Sequence, residues 1–161
     1  MQTVRLETRI AAPATRSFLL SLNIDLQMDV TARTRERAIA GVTGGLIGPD
    51  ECVTWEGRYL GLLVHHTSKI VAYEPPTFFC DAMMKGIFKS YRHEHHFVES
   101  TDGTIMLDVL EFAAPFEWLG RIAEKVVLRK YLEAFLIERN AMIKRVAESD
   151  QWQKYLAEDA V

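Results

Sequence analysis

The middle of the chain alternates apolar and polar residues, whereas apolar residues near its end recur every three or four positions. Strict alternation is typical of half-buried β-strands, and the longer period is typical of an amphipathic helix. The alternating segments predict seven strands, of which the last five follow one another across short turns and should pair antiparallel. The predicted strands cover residues 3–11, 33–40, 53–60, 62–73, 77–84, 88–99 and 104–113.

Three helices complete the predicted elements. Two short ones, at 14–22 and 24–29, follow the first strand, and Pro13 is well placed for the first turn. A third is predicted over 118–148, where its apolar stripe must be buried and its length of roughly 45 Å can cross a sheet. These elements predict an α+β fold, in which a curved seven-stranded antiparallel sheet wraps around the long C-terminal helix and leaves an internal cavity.

Composition narrows the class of protein. The 161 residues fit one domain, with 149–161 as a C-terminal tail or a helix extension. A net charge of −3 offers no basic footprint for nucleic acid. No apolar stretch approaches the roughly 20 residues of a membrane span, and the N-terminus lacks the apolar core of a signal peptide. We therefore expect a cytoplasmic protein with no nucleic-acid partner and no stable membrane insertion.

Charged residues mark the solvated face of each strand and so identify the inward face. In strand 53–60, Glu56 and Arg58 point outward, which turns Trp55 and Tyr59 toward the predicted cavity. The same parity argument and the helix stripe give a set of predicted ligand-binding residues. They are Trp55, Tyr59, Phe79, Asp81, Met83, Tyr91, His93, His95, Met106, Asp108, Leu110, Phe112, Phe135 and Arg139.

Two histidines and two carboxylates are expected to meet on the inward face. His93 and His95 lie on strand 88–99, and Asp81 and Asp108 lie on the two flanking strands. Opposed side chains in such a sheet are about 5 Å apart at Cβ. The cluster could bind the polar end of a ligand or transfer a proton, which makes His93, His95 and Asp108 candidate catalytic residues.

Other interpretations of these residues stay open. The histidines and Asp108 could satisfy one another in a polar seam of the core, and Arg139 could extend from the helix stripe to the cavity rim. His96 cannot join the other two histidines, because adjacent strand residues point to opposite faces. Two histidines with a carboxylate could still bind a metal, but the favoured expectation is no metal ion and no cofactor.

Motifs spread from Val4 to about Ala147 carry a family resemblance. The chain resembles the START-like superfamily often labelled SRPBCC, and within it the polyketide cyclase/dehydrase-like ligand-binding branch. The motifs include Ile10-Ala11-Ala12-Pro13 with Phe18, Asn23-Ile24-Asp25-Leu26, Gly44-Gly45-Leu46-Ile47-Gly48, Glu74-Pro75-Pro76, Phe79-Cys80-Asp81, Gly86-Ile87-Phe88, His93-Glu94-His95-His96-Phe97 and Thr104-Ile105-Met106-Leu107-Asp108.

The resemblance implies a helix-grip fold with a deep hydrophobic cavity between the long helix and the sheet. Members of the superfamily bind lipids, sterols, quinones, plant hormones and polyketides, and some catalyse aromatic ring closure or dehydration. No catalytic set is uniform across the superfamily, so none transfers to this chain.

Three functional hypotheses follow. The first is binding of a small hydrophobic molecule, such as a lipid, a quinone or a polyketide-like compound, in the cavity. The alternative is a cyclase or dehydratase that uses a His/Asp acid–base pair in the same cavity. The third is a protein-interaction domain, for example a homodimer, whose cavity is filled by side chains.

Overall fold

The computed structural model of the protein describes residues 1–30, 36–59, 62–114 and 123–157. Seven strands form one curved antiparallel sheet in the order β1-β7-β6-β5-β4-β3-β2. The strands are β1 (Gln2–Ile10), β2 (Arg37–Gly41), β3 (Cys52–Tyr59), β4 (Leu62–Glu74), β5 (Phe78–Lys85), β6 (Ser90–Ser100) and β7 (Gly103–Ala113).

The helices lie on one side of this sheet. Two short helices, α1 (Ala14–Ser21) and α2 (Ile24–Val30), follow β1, and the long helix α3 (Ala123–Ala147) follows β7. Asn23 begins α2 by accepting a hydrogen bond from the Leu26 backbone N–H at 2.8 Å, which is an N-cap contact. The predicted helix-grip architecture, with its seven-stranded antiparallel sheet and long C-terminal helix, is confirmed.

Side-chain alternation explains why the strands bury one face. Along β7, every second residue from Thr104 to Phe112 is buried, and the residues between them are partly exposed. β6 pairs with β7 from Ser90 opposite Ala113 to Ser100 opposite Gly103. Because a one-residue slip would move every buried side chain to the solvent face, this pairing register is strongly specified.

Most predicted elements begin and end within two residues of the observed bounds, but the starts of β2 and α3 differ by more. β2 begins at Arg37, whereas the predicted strand begins at 33, and residues 31–35 lie outside the described residues. α3 is described from Ala123 to Ala147, so the predicted helical start at 118–122 also lies outside them. Alternation in the sequence shows which residues share a face of a strand. It does not show where the hydrogen-bonded pairing of that strand begins or ends.

The C-terminal segment packs back onto the domain. After α3, a short 3₁₀ helix covers Asp150–Lys154, and Leu156 is buried in the main core. Asn23 Nδ2 donates a hydrogen bond to the Tyr155 backbone carbonyl at 2.9 Å. The Tyr155 hydroxyl donates to Asp29 Oδ2 at 2.6 Å. These contacts attach the C-terminal segment to α2 and to Asn23, the residue before α2.

The buried residues form two apolar clusters. The larger one includes Phe18, whose ring makes edge contacts with Tyr73, Phe79 and Phe97. The smaller one joins Val4, Leu110 and Phe112 of the sheet to Leu132 and Leu136 of α3. Members of both clusters also line the cavity described below. Among the described helices, none is long and apolar enough to cross a membrane.

Candidate functional site

A cavity of about 370 Å³ lies between the inner face of the sheet and α3. Most of its lining is apolar, and α1, α2 and the strands from β3 to β6 contribute to it. This volume lies in the range of small-molecule sites, which are typically 300–1,000 Å³. Eight of the predicted ligand-binding residues line it, namely Trp55, Phe79, Asp81, Tyr91, His93, His95, Phe135 and Arg139.

The other predicted residues lie elsewhere or behind the cavity wall. Met106, Leu110 and Phe112 are buried on the inner face but belong to the packed core, because α3 lies directly over β1, next to their strand. Met83 is half-buried, and its sulfur packs against Gly86 in the turn after β5. A Cβ atom added to Gly86 would lie 2.7 Å from that sulfur. The side chain of Tyr59 lies outside the described residues.

His93 and His95 occupy the cavity wall side by side. Both are almost fully buried, and their ring centroids are 3.8 Å apart. The His95 ring also stacks on Phe79 at 4.1 Å between centroids. His95 Nε2 lies 3.2 Å from Asp81 Oδ1, within hydrogen-bond distance. Alternation along β6 places both imidazoles on one face, and pairing with β5 brings Asp81 opposite His93.

Asp108 lies behind the two imidazoles and contacts both. Its Oδ1 is 2.9 Å from His93 Nε2 and 2.9 Å from His95 Nδ1. Neither contact has the alignment of a good hydrogen bond, so these three buried atoms interact mainly electrostatically. The other oxygen, Oδ2, accepts a hydrogen bond from Asn140 Nδ2 at 2.6 Å. Asp108 is therefore fixed by α3 and positions the histidines from behind.

Arg139 is buried at the cavity wall rather than extended to the rim. Its Nη1 lies 3.6 Å from Asp108 Oδ1. Its Nε donates a hydrogen bond to Gln27 Oε1 at 3.2 Å, and its Nη2 donates to the Ser21 carbonyl at 3.3 Å. The guanidinium therefore links α3 to α1 and α2 and supplies positive charge next to Asp108.

The two buried carboxyl groups and His93 all favour their deprotonated forms. Burial, and next the neighbouring His95 ring, lowers the pKa of His93 to about 4. Burial alone would raise the pKa of Asp108, but its contacts with His93 and His95 outweigh this and hold that pKa well below its usual value. The pKa of Asp81 is lowered in the same way, with His95 as the main opponent of burial. Near neutral pH, His93 is neutral and both carboxylates are ionised.

His66 is a cavity residue that was not among the predicted ones. It pairs with Trp55 across β3 and β4, and it lines the cavity. Its Nε2 is 2.9 Å from Ser68 Oγ, and its ring meets the Tyr91 ring edge-on at 5.2 Å. Burial lowers its pKa. The inward parity of Trp55, combined with the register of the β3–β4 hairpin, would have identified it.

Comparison with known proteins finds structures with the same fold but no match by sequence. No protein-family model matches the chain, and no curated protein matches it in sequence. Among solved structures, TTHA0849 from Thermus thermophilus is 16% identical, with a TM-score of 0.69 over 88% of this chain and 97% of that one. Ara h 8.0201 is 11% identical, with a TM-score of 0.63 over 88% of this chain and 97% of that one.

A third similar structure is the di-domain ARO/CYC StfQ from the steffimycin biosynthetic pathway. It is 11% identical, with a TM-score of 0.72, and the match covers 92% of this chain and 51% of StfQ. Structural matches at identities this low show a common fold. They do not show that the proteins bind the same ligand. The protein thus has the helix-grip fold that its resemblance to START-like proteins implies.

Proposed function

We propose that the protein binds a small hydrophobic molecule whose polar end contacts Asp81, His93 and His95. The observation that carries this proposal is the cavity of about 370 Å³, whose mostly apolar wall is interrupted by this buried polar group. Apolar pockets with a few convergent polar atoms are typical of small-molecule sites. Lipid-like and polyketide-like compounds fit this description, and StfQ, which has the same fold, comes from a biosynthetic pathway.

The charge of the polar group indicates which ligand end fits. Asp81 lines the cavity and its pKa is lowered, so it presents an ionised carboxylate. Its second oxygen can accept a hydrogen bond, and neutral His93 can do so as well. A ligand carboxylate would instead meet a like charge in a buried site, which is costly. The ligand should therefore carry a hydroxyl or phenol at its polar end.

Decanol is expected to displace the neutral fluorescent probe Nile red from the protein at lower concentration than decanoate does. A difference of at least about tenfold is expected, which corresponds to about 1.4 kcal/mol. The comparison uses one chain length, so that apolar burial is matched, and protein treated with a chelator, so that no stray cation offsets the charge of Asp81. Equal displacement by the two compounds would contradict the assignment of the polar end.

Two tryptophan variants of α3 provide the matched control. Leu128 lines the cavity, whereas Val126 on the same helix is 46% exposed and is not part of the lining. Leu128→Trp should fill the cavity and weaken both Nile red and decanol binding, and Val126→Trp should leave both unchanged. Probe binding that survives Leu128→Trp at the parent affinity would show that the probe binds elsewhere.

A second candidate function is acid–base catalysis of a cyclisation or dehydration. The observation that favours it is the pair formed by neutral His93 and ionised Asp108, with the imidazole at the cavity wall. Such a base typically contributes 10²–10⁴-fold to a rate. With a substrate that the protein converts, His93→Gln should lower kcat by about that factor. An unchanged kcat would exclude His93 as the base.

A further inference from the structure

Three metal-ligating side chains lie next to one another on the inner face of β5 and β6. Asp81, His93 and His95 each offer one ligand atom, and these atoms lie within 4.8 Å of one another. We propose that these three side chains bind a divalent transition-metal ion of the Zn²⁺ type at the cavity wall. The inference rests on this geometry and does not depend on the hydrophobic-ligand proposal.

The donor set fits such an ion. Two imidazoles and one carboxylate form the protein ligands of many zinc and non-haem iron sites, in which further coordination positions stay open. Bonds of about 2.0–2.2 Å would bring the ligand atoms to within roughly 4 Å of one another. Small side-chain rotations are enough to reach that spacing from the one observed. The open positions would face the cavity, which all three residues line.

Asp108 supplies the outer support that metal-binding histidines usually have. A ligating histidine commonly directs its other ring nitrogen to a carboxylate, which fixes the tautomer and the ring orientation. Asp108 Oδ1 lies 2.9 Å from His95 Nδ1 and leaves His95 Nε2, the atom next to Asp81, for a metal. It also lies 2.9 Å from His93 Nε2, which leaves Nδ1 of that ring as the second donor.

The imperfect alignment of these contacts also favours coordination of an ion by the opposite ring nitrogens. His93 Nε2, His95 Nδ1 and Asp108 Oδ1 are buried without a well-aligned hydrogen-bond partner, and unsatisfied buried polar atoms are costly. An ion on the opposite nitrogens would turn both rings and fix their N–H groups on the Asp108 side.

Charge points in the same direction. Against the carboxylates of Asp81 and Asp108, the described residues at this cluster supply one guanidinium, that of Arg139, whose Nη1 lies 3.6 Å from Asp108 Oδ1. A divalent cation beside Asp81 would offset the remaining negative charge.

The test is a titration of chelator-treated protein with Co²⁺, followed by its visible absorption, together with Zn²⁺ competition against a chromophoric chelator. We expect saturation at one equivalent per chain and a Co²⁺ spectrum of low coordination number. Asp81→Asn and His93→Gln should each lower the Zn²⁺ affinity by more than about a hundredfold, since loss of outer-shell support alone typically costs 10–100-fold.

The matched control is His96→Gln. His96 lies on the same strand but on the outer face, where its Nε2 is 3.4 Å from Glu94 Oε2, and its replacement should leave the affinity unchanged. Circular dichroism checks that each variant is folded. Nuclear magnetic resonance of the parent protein with Co²⁺ needs no variant, and of the five histidines only His93 and His95 should show the large contact shifts of metal-bound imidazoles. Absence of saturable binding, or such contact shifts at His65, His66 or His96 instead, would overturn the proposal.

Discussion

Replacement of Asp108 by alanine is expected to lower the free energy of unfolding by about 3–5 kcal/mol, the usual cost of removing one partner from a buried ion pair. Asp108 is only 1% exposed. It lies 2.9 Å from a nitrogen of His93 and from a nitrogen of His95, and it accepts a 2.6 Å hydrogen bond from Asn140. Without the carboxylate, the Arg139 guanidinium loses its buried counter-charge. Urea unfolding monitored by circular dichroism measures the change.

Two further variants separate charge from shape in this prediction. Asp108→Asn keeps the size of the side chain and an oxygen for Asn140 while removing the charge, so its effect should lie between those of the parent and Asp108→Ala. Glu94→Ala removes a carboxylate from the outer face of the sheet, where it pairs with Arg92 at 3.0 Å. Exposed pairs contribute about 1 kcal/mol or less. A loss for Asp108→Ala no larger than that for Glu94→Ala would contradict the structural role of the buried cluster.

Replacement of Phe18 by alanine should also destabilise the protein by about 3–5 kcal/mol, since large-to-small changes leave a cavity in a packed core. The Phe18 ring is 1% exposed. Its centroid lies 5.5 Å from Tyr73, 5.7 Å from Phe79 and 5.5 Å from Phe97, all with edge-on geometry. This ring connects α1 to three strands of the sheet, so its loss removes aromatic contacts as well as apolar burial.

Phe78→Ala is the matched control for Phe18→Ala. Phe78 is partly exposed and contacts His96, with 4.8 Å between the ring centroids, on the opposite face from Phe79. Both variants remove the same atoms, and only the Phe18 change opens the interior. The same urea experiment measures both. Equal losses in the two variants would show that the edge-on aromatic cluster does not hold α1 on the sheet.

Strand parity predicted the architecture well because one face of the sheet is solvated and the other is packed. The alternating burial of β7 from Thr104 to Phe112 follows directly from its alternating sequence. Parity does not say where a helix lies over the sheet, because helix placement depends on contacts between distant segments. Met106, Leu110 and Phe112 are therefore buried in the core, whereas Phe79 and Tyr91 line the cavity.

His66 shows a different limit of prediction from sequence patterns. The predicted strands 53–60 and 62–73 leave one residue for the turn between them. In the structure Tyr59 pairs with Leu62, so two residues separate the paired positions. A change of one residue in register moves a side chain to the other face, and only the observed register places His66 opposite Trp55.

The role of Arg139 likewise depends on partners distant in sequence. Its apolar neighbours in the helix stripe indicate burial, but its hydrogen-bond partners, Gln27 and the carbonyl of Ser21, lie on α2 and α1. No local pattern around Arg139 identifies those partners.

The strand order places the first and last strands of the sheet side by side. β1 is an edge strand that pairs with β7, and Val4 lies opposite Leu110. Closing a contact across so much chain costs entropy that grows with loop length, and contacts between distant residues slow folding. During synthesis, the hydrogen bonds between β1 and β7 can form only after β7 has been made. The polar cluster, which joins Asp108 of β7 to Asn140 of α3 and through it to Thr8 of β1, is thus among the last parts of the molecule to assemble.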